Sequence, residues 1–311
     1  MVDGTRDLAI AVEAVRMRRG ALPAAESAAM REVADEANYA TRSGLDAPFT
    51  LTHTLAGLTL TAVSDYVRTF AEAFTTEHTP VYGHLVLARA ALEAATVSRW
   101  LSESGLSRDK RLQRGLSEFI YAANEEWKLK LQPNGREVVK AWIEHASKLD
   151  WAVTDEKGRP WTRGSQGKPL VEGEGRPAPA GAIRNLLVDD QTSKIGKLQW
   201  ARLSAVAHVT FFGTRGALSL DQGVRNPATG LVTVPVGTDA IAVYLQAICI
   251  TKALRQTAGS LFGLMGWIDG EWSTASSAAE EHERGMLAAV KAARPEDLDA
   301  ELQEEVPESD D

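Results

Sequence analysis

Two apolar segments of this chain carry ionisable side chains whose types and spacing suit proton transfer and phosphate binding. Arg202 and His208 lie six residues apart in a run that is otherwise mostly apolar. Arg89 and Glu93 lie four residues apart among Leu, Val and Ala in a second such run. Because charged side chains are rarely buried unless they are paired, the two segments predict one polar cluster inside a helical protein.

The spacing of Arg89 and Glu93 places both side chains on one face of a helix, where they can form an ion pair. Such a pair has two interpretations: a structural bridge that holds two helices in register, or a part of a functional site. Buried pairs add little net stability, although removing one partner costs about 3–5 kcal/mol. Arg89 and Glu93 are therefore a candidate supporting polar cluster, and both interpretations stay open.

His208 is the candidate proton-transfer residue, because imidazole titrates near neutral pH. The alternative is a core histidine that serves only packing and hydrogen bonding. Arg202 supplies a fixed guanidinium fork that suits a phosphate group. Six residues of regular helix turn through about 240° net, so the two side chains converge only at a helix entrance, in an irregular helix or in a groove between subunits. Together they suit cleavage of a ribose-phosphate chain without a metal.

Two clusters of basic residues, one with a tryptophan beside it, are candidates for nucleic-acid binding. The first cluster has Arg108, Lys110, Arg111 and Arg114, and the second has Lys157, Arg159, Arg163, Lys168 and Arg176 around Trp161. The candidate binding residues among them are Arg108, Arg111, Arg114, Trp161, Arg163 and Lys168. The cations suit phosphate groups, and the indole ring is a candidate stacking surface for a base. The alternative is that both clusters are ordinary solvated surface, and acidic neighbours dilute the second cluster.

The spacing from Arg202 to His208 at the start of a late helix is similar to the signature of the HEPN superfamily. Its members are small all-α bundles that often dimerise, and many are metal-independent ribonucleases of toxin–antitoxin and phage-defence systems. The resemblance implies that Arg202 binds phosphate and that His208 is the acid–base residue. It also implies RNA as the substrate, and a second copy or a protein inhibitor as a partner.

A longer resemblance covers about residues 80–220. The segments Leu-Ala-Arg-Ala-Ala-Leu-Glu and Leu-Ser-Ala-Val-Ala-His, at 87–93 and 203–208, are similar to a group of all-helical actinomycete proteins. That group carries no established activity, so this resemblance implies a fold and no function.

Apolar residues recur at helical spacing over most of the chain, and Pro or Gly ends several runs. The predicted helices span 5–19, 24–42, 50–74, 81–103, 111–132, 136–149, 193–213, 238–266 and 275–293. Residues 155–181 are rich in Gly, Pro and charge, which predicts a long irregular loop. Alternating valines at 232–236 predict an extended or hairpin excursion. The predicted fold class is therefore all-α, a multi-helix bundle with these two insertions.

Three regions are predicted along the chain. Residues 1–50 form a helical pair that packs on the bundle, and residues 51–293 form the bundle, with insertions at about 151–190 and 215–236. Residues 294–311 form an acidic, disordered tail. The formal net charge is −8, and nine acidic residues with no basic ones lie between Glu296 and Asp311. The acidity therefore describes the tail more than the folded body.

Several site classes are excluded by the residues themselves. The single cysteine, Cys249, cannot form an internal disulfide, which fits a reducing compartment and predicts a small core side chain. The chain lacks zinc-ligand spacing and a phosphate-loop or dinucleotide fingerprint, so neither a metal nor a cofactor is predicted. With no signal peptide and no membrane-spanning apolar run visible, the protein is predicted to be cytoplasmic.

Two function classes are consistent with these residues. The first is a HEPN-like, metal-independent endoribonuclease of a defence or toxin type. The second is a non-catalytic helical binding or scaffold protein, in which the Arg, Glu and His residues form a structural cluster. In the scaffold version, the apolar helix at 238–266 supplies an oligomerisation surface.

Overall fold

The computed structural model is predominantly α-helical with two small sheets, which confirms the predicted fold class. It describes residues 3–20, 22–75, 82–131, 133–162, 165, 167–187, 200–201, 203–204, 224–225, 227, 229, 232–233 and 239–293. The helices within these ranges are α1 (Asp3–Arg19), α2 (Ala28–Ala34), α3 (Glu36–Ser43), α4 (Pro48–Glu72), α5 (Gly83–Leu101), α6 (Arg108–Lys128), α7 (Gly135–Lys148), α8 (Pro179–Leu186), α9 (Ala240–Met265) and α10 (Gly270–Ala293).

The helices begin and end at residues that satisfy free backbone groups. At the starts of α2, α6 and α9, the side chains of Ser27, Ser107 and Asp239 each accept a hydrogen bond from a first-turn N–H. Such caps contribute about 1 kcal/mol each. Pro48 occupies the first turn of α4, where its missing N–H costs nothing. Gly266 ends α9 with φ of 69°, a left-handed conformation that favours glycine.

The first core is built by α1, α4, α5, α9 and α10, with α8 at one side. Helix α9 is its centre, and 17 of its 26 residues are buried. Cys249 is among them, which confirms its prediction as a core side chain. The apolar surface of 238–266 predicted for oligomerisation is thus covered within the protein itself, because α4, α5 and α10 pack around this helix.

The second core lies between α6, α7 and the start of α4. Trp161 and Val171, from the segment that follows α7, complete it. Helix α4 belongs to both cores, since Phe49 lies in the second and Leu60 in the first. This one helix therefore links the two packed halves.

The segment predicted as a long irregular loop contains a small antiparallel sheet. Its strands are β1 (Val153–Thr154), β2 (Leu170–Val171) and β3 (Glu174–Gly175), in the order β1-β2-β3. Each strand has two residues, which is too short to produce an alternating apolar pattern. The sheet packs against α6, so the segment is held to the second core.

Two other predictions have clear outcomes, and two lie outside or mostly outside the described residues. The excursion contains an antiparallel pair, β4 (Val224–Arg225) with β5 (Val232–Thr233), as the hairpin interpretation required. The single helix predicted over 24–42 is instead α2 and α3, separated at Asp35. The acidic tail at 294–311 and most of the helix predicted at 193–213 lie outside the described residues.

Candidate functional site

Arg89 and Glu93 form an ion pair on α5, as their spacing allows. The Nε and Nη2 atoms of Arg89 donate to Oε1 of Glu93 at 3.2 and 3.1 Å. Both side chains are partly accessible to solvent, so the pair is not sealed in the first core. A molecule that approaches this face of α5 can therefore contact the pair.

The ring of Trp200 covers the Arg89 guanidinium. The Cζ atom of Arg89 lies 5.1 Å from the ring centre, within the range of a cation–π contact. Leu203, three residues later, is buried in the first core. The helical residues 200–201 and 203–204 therefore pack against α5 and the first core. Arg202 and His208 themselves lie outside the described residues.

A cavity of about 210 Å³ lies next to the Arg89–Glu93 pair. We call it the lysine cavity, and it is lined by Glu93, Thr96, Tyr121, Lys168, Arg176 and two prolines. The structure thereby brings together Glu93 and Lys168, two residues that the sequence placed in separate candidate groups. The Nζ atom of Lys168 donates to the backbone carbonyls of Arg176 and Pro177 at 3.4 and 3.3 Å.

Two basic residues, Lys168 and Arg176, and one acid, Glu93, line the lysine cavity, and the buried Glu118 bonds to Arg176. Burial and the Arg176 charge lower the pKa of Lys168 from its ordinary value. Arg176 donates to Oε1 of Glu118 at 2.9 Å and lies over the Tyr121 ring. Burial raises the pKa of Glu118, although Arg176 and Lys168 oppose that effect. Its Oε2 atom is buried without a hydrogen-bond partner among the described residues.

The predicted nucleic-acid-binding residues are distributed differently from expectation. Trp161 is only 3% exposed and packs in the second core, so its ring is not available for stacking. Arg114 bonds to Glu103 and Glu174 and lies over Trp100. Arg108 is exposed and paired with Asp35, and Arg163 lies outside the described residues.

Arg111 is a structural residue, and its predicted role at a phosphate-binding surface is wrong. It is 2% exposed, and its Nε atom donates to Oε1 of Glu32 at 2.8 Å. Its Nη1 atom donates to the carbonyl of Leu101 at 2.7 Å. A guanidinium held in this way cannot reach an RNA backbone.

Arg111, Glu32 and His53 form a buried triad that the sequence analysis did not find. The Nε2 atom of His53 lies 2.7 Å from Oε2 of Glu32, so both carboxylate oxygens are used. Burial alone would raise the pKa of Glu32, but the His53 hydrogen bond and the Arg111 charge hold it below its ordinary value. The three residues come from α2, α4 and α6, and no spacing in the sequence signals their contact.

The described residues contain neither a candidate metal site nor a candidate membrane-spanning helix. No group of three or more His, Cys, Asp and Glu side chains in the described ranges is arranged to hold a metal ion. None of the helices that the structure describes has the length and apolar character needed to cross a bilayer. Comparison with known proteins found no matching family model, curated protein or solved structure.

Proposed function

We propose that the protein is a HEPN-like, metal-independent endoribonuclease of a defence or toxin type that acts on RNA in the cytoplasm. His208 transfers protons, Arg202 holds the phosphate, and the Arg89–Glu93 pair orients the site. The observation that supports this proposal is the contact between the Arg89 guanidinium and the ring of Trp200, which lies two residues before Arg202. That contact brings Trp200 to the helix that carries the supporting pair.

The proposed reaction needs one group that titrates near neutral pH and one fixed cation. The ribose 2′-hydroxyl attacks the adjacent phosphorus, and the bond from phosphorus to the next 5′-oxygen breaks. The imidazole of His208 takes the proton from the attacking hydroxyl and returns it to the departing 5′-oxygen. The Arg202 guanidinium stabilises the negative charge on the non-bridging oxygens. The products carry a 2′,3′-cyclic phosphate and a 5′-hydroxyl.

The lysine cavity supports an RNA substrate at the same face. Lys168 and Arg176, two basic residues, line it beside Glu93. A polyanionic chain gains affinity from each phosphate that such cations contact, through release of counterions. The cavity is small, so it suits one phosphate or sugar of a longer chain and not a folded RNA domain.

The test is cleavage of a fluorescently labelled single-stranded RNA by the purified full-length chain in the presence of EDTA. Wild-type protein is expected to release fragments that end in 2′,3′-cyclic phosphate. His208→Ala and Arg202→Ala are each expected to reduce the rate by about 100-fold or more, which is the scale of general acid–base and charge-stabilising catalysis. His145→Ala on α7 is the matched histidine control and is expected to retain cleavage.

Expression in a bacterial host provides a second readout. Wild-type protein is expected to slow growth, and His208→Ala is expected to abolish that effect at equal protein level. The proposal is overturned if purified wild-type protein leaves every RNA intact, or if His208→Ala cleaves as fast as wild type.

A second candidate function is a non-catalytic helical binding or scaffold protein. The observation that favours it is the Glu32–His53–Arg111 triad, in which Arg, Glu and His residues serve packing between helices. This candidate predicts harmless expression of both wild type and His208→Ala. It also predicts a stable complex with a protein partner or a second copy, which light scattering after gel filtration measures directly.

A further inference from the structure

A second cavity, distant in the sequence from the Arg202–His208 segment, is lined by four arginines. It has a volume of about 560 Å³ and lies between α2, the end of α5 with the residues after it, α9 and α10. We call it the arginine cavity; its cations are Arg31, Arg99, Arg111 and Arg255. This volume falls within the range of about 300–1,000 Å³ typical of small-molecule sites.

Two of these cations have no carboxylate partner among the residues that the structure describes. Arg99 donates from Nη1 to Oγ of Ser260 at 2.8 Å, and Arg31 donates from Nη1 to the backbone carbonyl of Glu26 at 2.7 Å. Neither guanidinium forms an ion pair with any acidic residue that the structure describes. Arg99 is partly buried. A partly buried cation with only neutral partners retains an uncompensated positive charge, which an anionic ligand can satisfy.

The other charged side chains that line the cavity already form ion pairs. Arg255 forms a two-pronged bond to Glu283, at 2.9 and 2.8 Å, and also contacts Glu280. Glu32 is the acidic residue that lines the cavity, and both of its oxygens are taken by Arg111 and His53. Arg31 and Arg99 are therefore the two lining cations that have no acidic partner among the described residues.

Two of the residues that line the cavity have no side chain. Gly259 and Gly263 lie four apart on one face of α9, and both line the cavity. A Cβ atom at Gly259 would meet Trp272 at 3.8 Å, which is an ordinary contact distance. The backbone is thus not crowded there, and the space that larger side chains would fill stays open to a ligand.

We propose that the arginine cavity binds a small phosphate monoester of about nucleotide size, with its phosphate held between Arg31 and Arg99. A phosphate monoester carries about 1.5 to 2 negative charges at neutral pH, which suits two guanidinium groups that lack an acidic partner among the described residues. A guanidinium fork also matches phosphate oxygens geometrically. Ser260 orients Arg99 through its hydroxyl, which in turn donates to the carbonyl of Ser102 at 2.8 Å.

The test is calorimetric titration and thermal unfolding of the full-length chain with inorganic phosphate, glycerol 3-phosphate and adenosine 5′-monophosphate at millimolar concentration. At least one organic phosphate is expected to bind at a single site and to raise Tm, and uncharged adenosine is expected to do neither. Because a lost charge-assisted hydrogen bond costs about tenfold to a hundredfold in affinity, Arg99→Gln and Arg31→Gln are each expected to weaken binding by that factor.

Two further variants locate the ligand. Gly259→Leu fills the cavity without a change of charge and is expected to abolish binding while the protein stays folded. Arg68→Gln, on an outer ion-paired arginine of α4, is the matched control and is expected to bind like wild type. Arg202→Ala is expected to keep phosphate binding, which separates this site from the proposed ribonuclease site.

Three outcomes would overturn the proposal. In the first, none of the three phosphate probes binds at millimolar concentration. In the second, Gly259→Leu and Arg99→Gln bind as tightly as wild type, which would place the ligand elsewhere. In the third, Arg202→Ala removes the phosphate response, which would assign it to the nuclease segment.

Discussion

The guanidinium carbon of Arg89 lies 5.1 Å from the centre of the Trp200 ring, across 111 positions of the chain. The same guanidinium donates to Glu93, so one side chain connects an acid on α5 to an aromatic residue of a distant segment. Cation–π contacts are worth about 0.5–2 kcal/mol, depending on their exposure. The contact thus contributes to holding that segment on α5.

A double-mutant cycle measures this contact. We expect Trp200→Leu and Arg89→Met to be coupled by about 0.5–2 kcal/mol in the free energy of unfolding. Urea denaturation of wild type, both single variants and the double variant gives this value. Trp200→Phe is the control and should keep most of the coupling. Strictly additive single effects would contradict the contact.

Lys168 provides a prediction for RNA affinity. We expect Lys168→Gln to raise KM for RNA with little change in kcat, because the side chain is proposed to meet the substrate without taking part in proton transfer. The slope of log affinity against log salt should become less steep by about one. Steady-state cleavage at several salt concentrations measures both. A large fall in kcat at unchanged KM would argue against this role.

Glu32 provides a prediction for acid stability. Its pKa is lowered in the folded protein, so its stabilising effect is fully present above the unfolded-state pKa of about 4.3. That effect is lost as pH falls through the folded-state pKa. We expect Glu32→Gln to cost about 3–5 kcal/mol at pH 7, since it leaves Arg111 buried without a counter-charge. The deficit relative to wild type should shrink in acid; a deficit independent of pH would contradict an ionised Glu32 in the folded protein.

Glu118 is expected to show the opposite pH dependence. Its folded-state pKa is raised, so its stabilising effect is fully present below about pH 4.3 and is lost as pH rises through the folded-state pKa. The stability of wild type relative to Glu118→Gln should therefore decrease with rising pH. Urea denaturation between pH 3 and 8, roughly the range over which carboxyl groups titrate, measures the trend. An increase with pH would show that Arg176 outweighs burial.

Gly115 tests the close approach of α6 to α4. A Cβ atom there would overlap Oγ1 of Thr52, so we expect Gly115→Ala to destabilise the protein by about 1–3 kcal/mol. Thr52→Ala removes the overlapping atom and should rescue part of that loss. Gly57→Ala on α4 is the control: a Cβ atom there meets nothing within 4 Å, so it should stabilise by up to about 1 kcal/mol. Thermal unfolding of the set decides the matter.

Helix positions were accessible from the sequence because their signals are local. Helix α9 was predicted over 238–266 and spans Ala240–Met265, with Asp239 and Gly266 as its cap residues. The break at Asp35 was missed, because the Ala-rich sequence around it keeps helical periodicity across the turn. The strands β1 to β3 were missed because two residues carry no period.

The surroundings of single side chains were not accessible from the sequence. Arg111 lies in a run of basic residues at the start of α6, a pattern that is typical of surface, but it is buried by Glu32 from 79 residues away. Trp161 follows charged residues in a Gly-rich segment, but the sheet β1-β2-β3 turns its ring into the second core. Burial of this kind depends on which distant segments meet, and no local spacing records that.

Helix α4 gives Phe49 to one packed interior and Leu60 to the other, with His53 of the triad between them. Because one continuous helix contributes to both cores, the folding of each core is coupled to that of the other. A ligand that binds beside α2, or a change of packing on the α6 side, would therefore affect both cores, because α2 and α6 both contact α4. The first and second cores therefore form one structural unit.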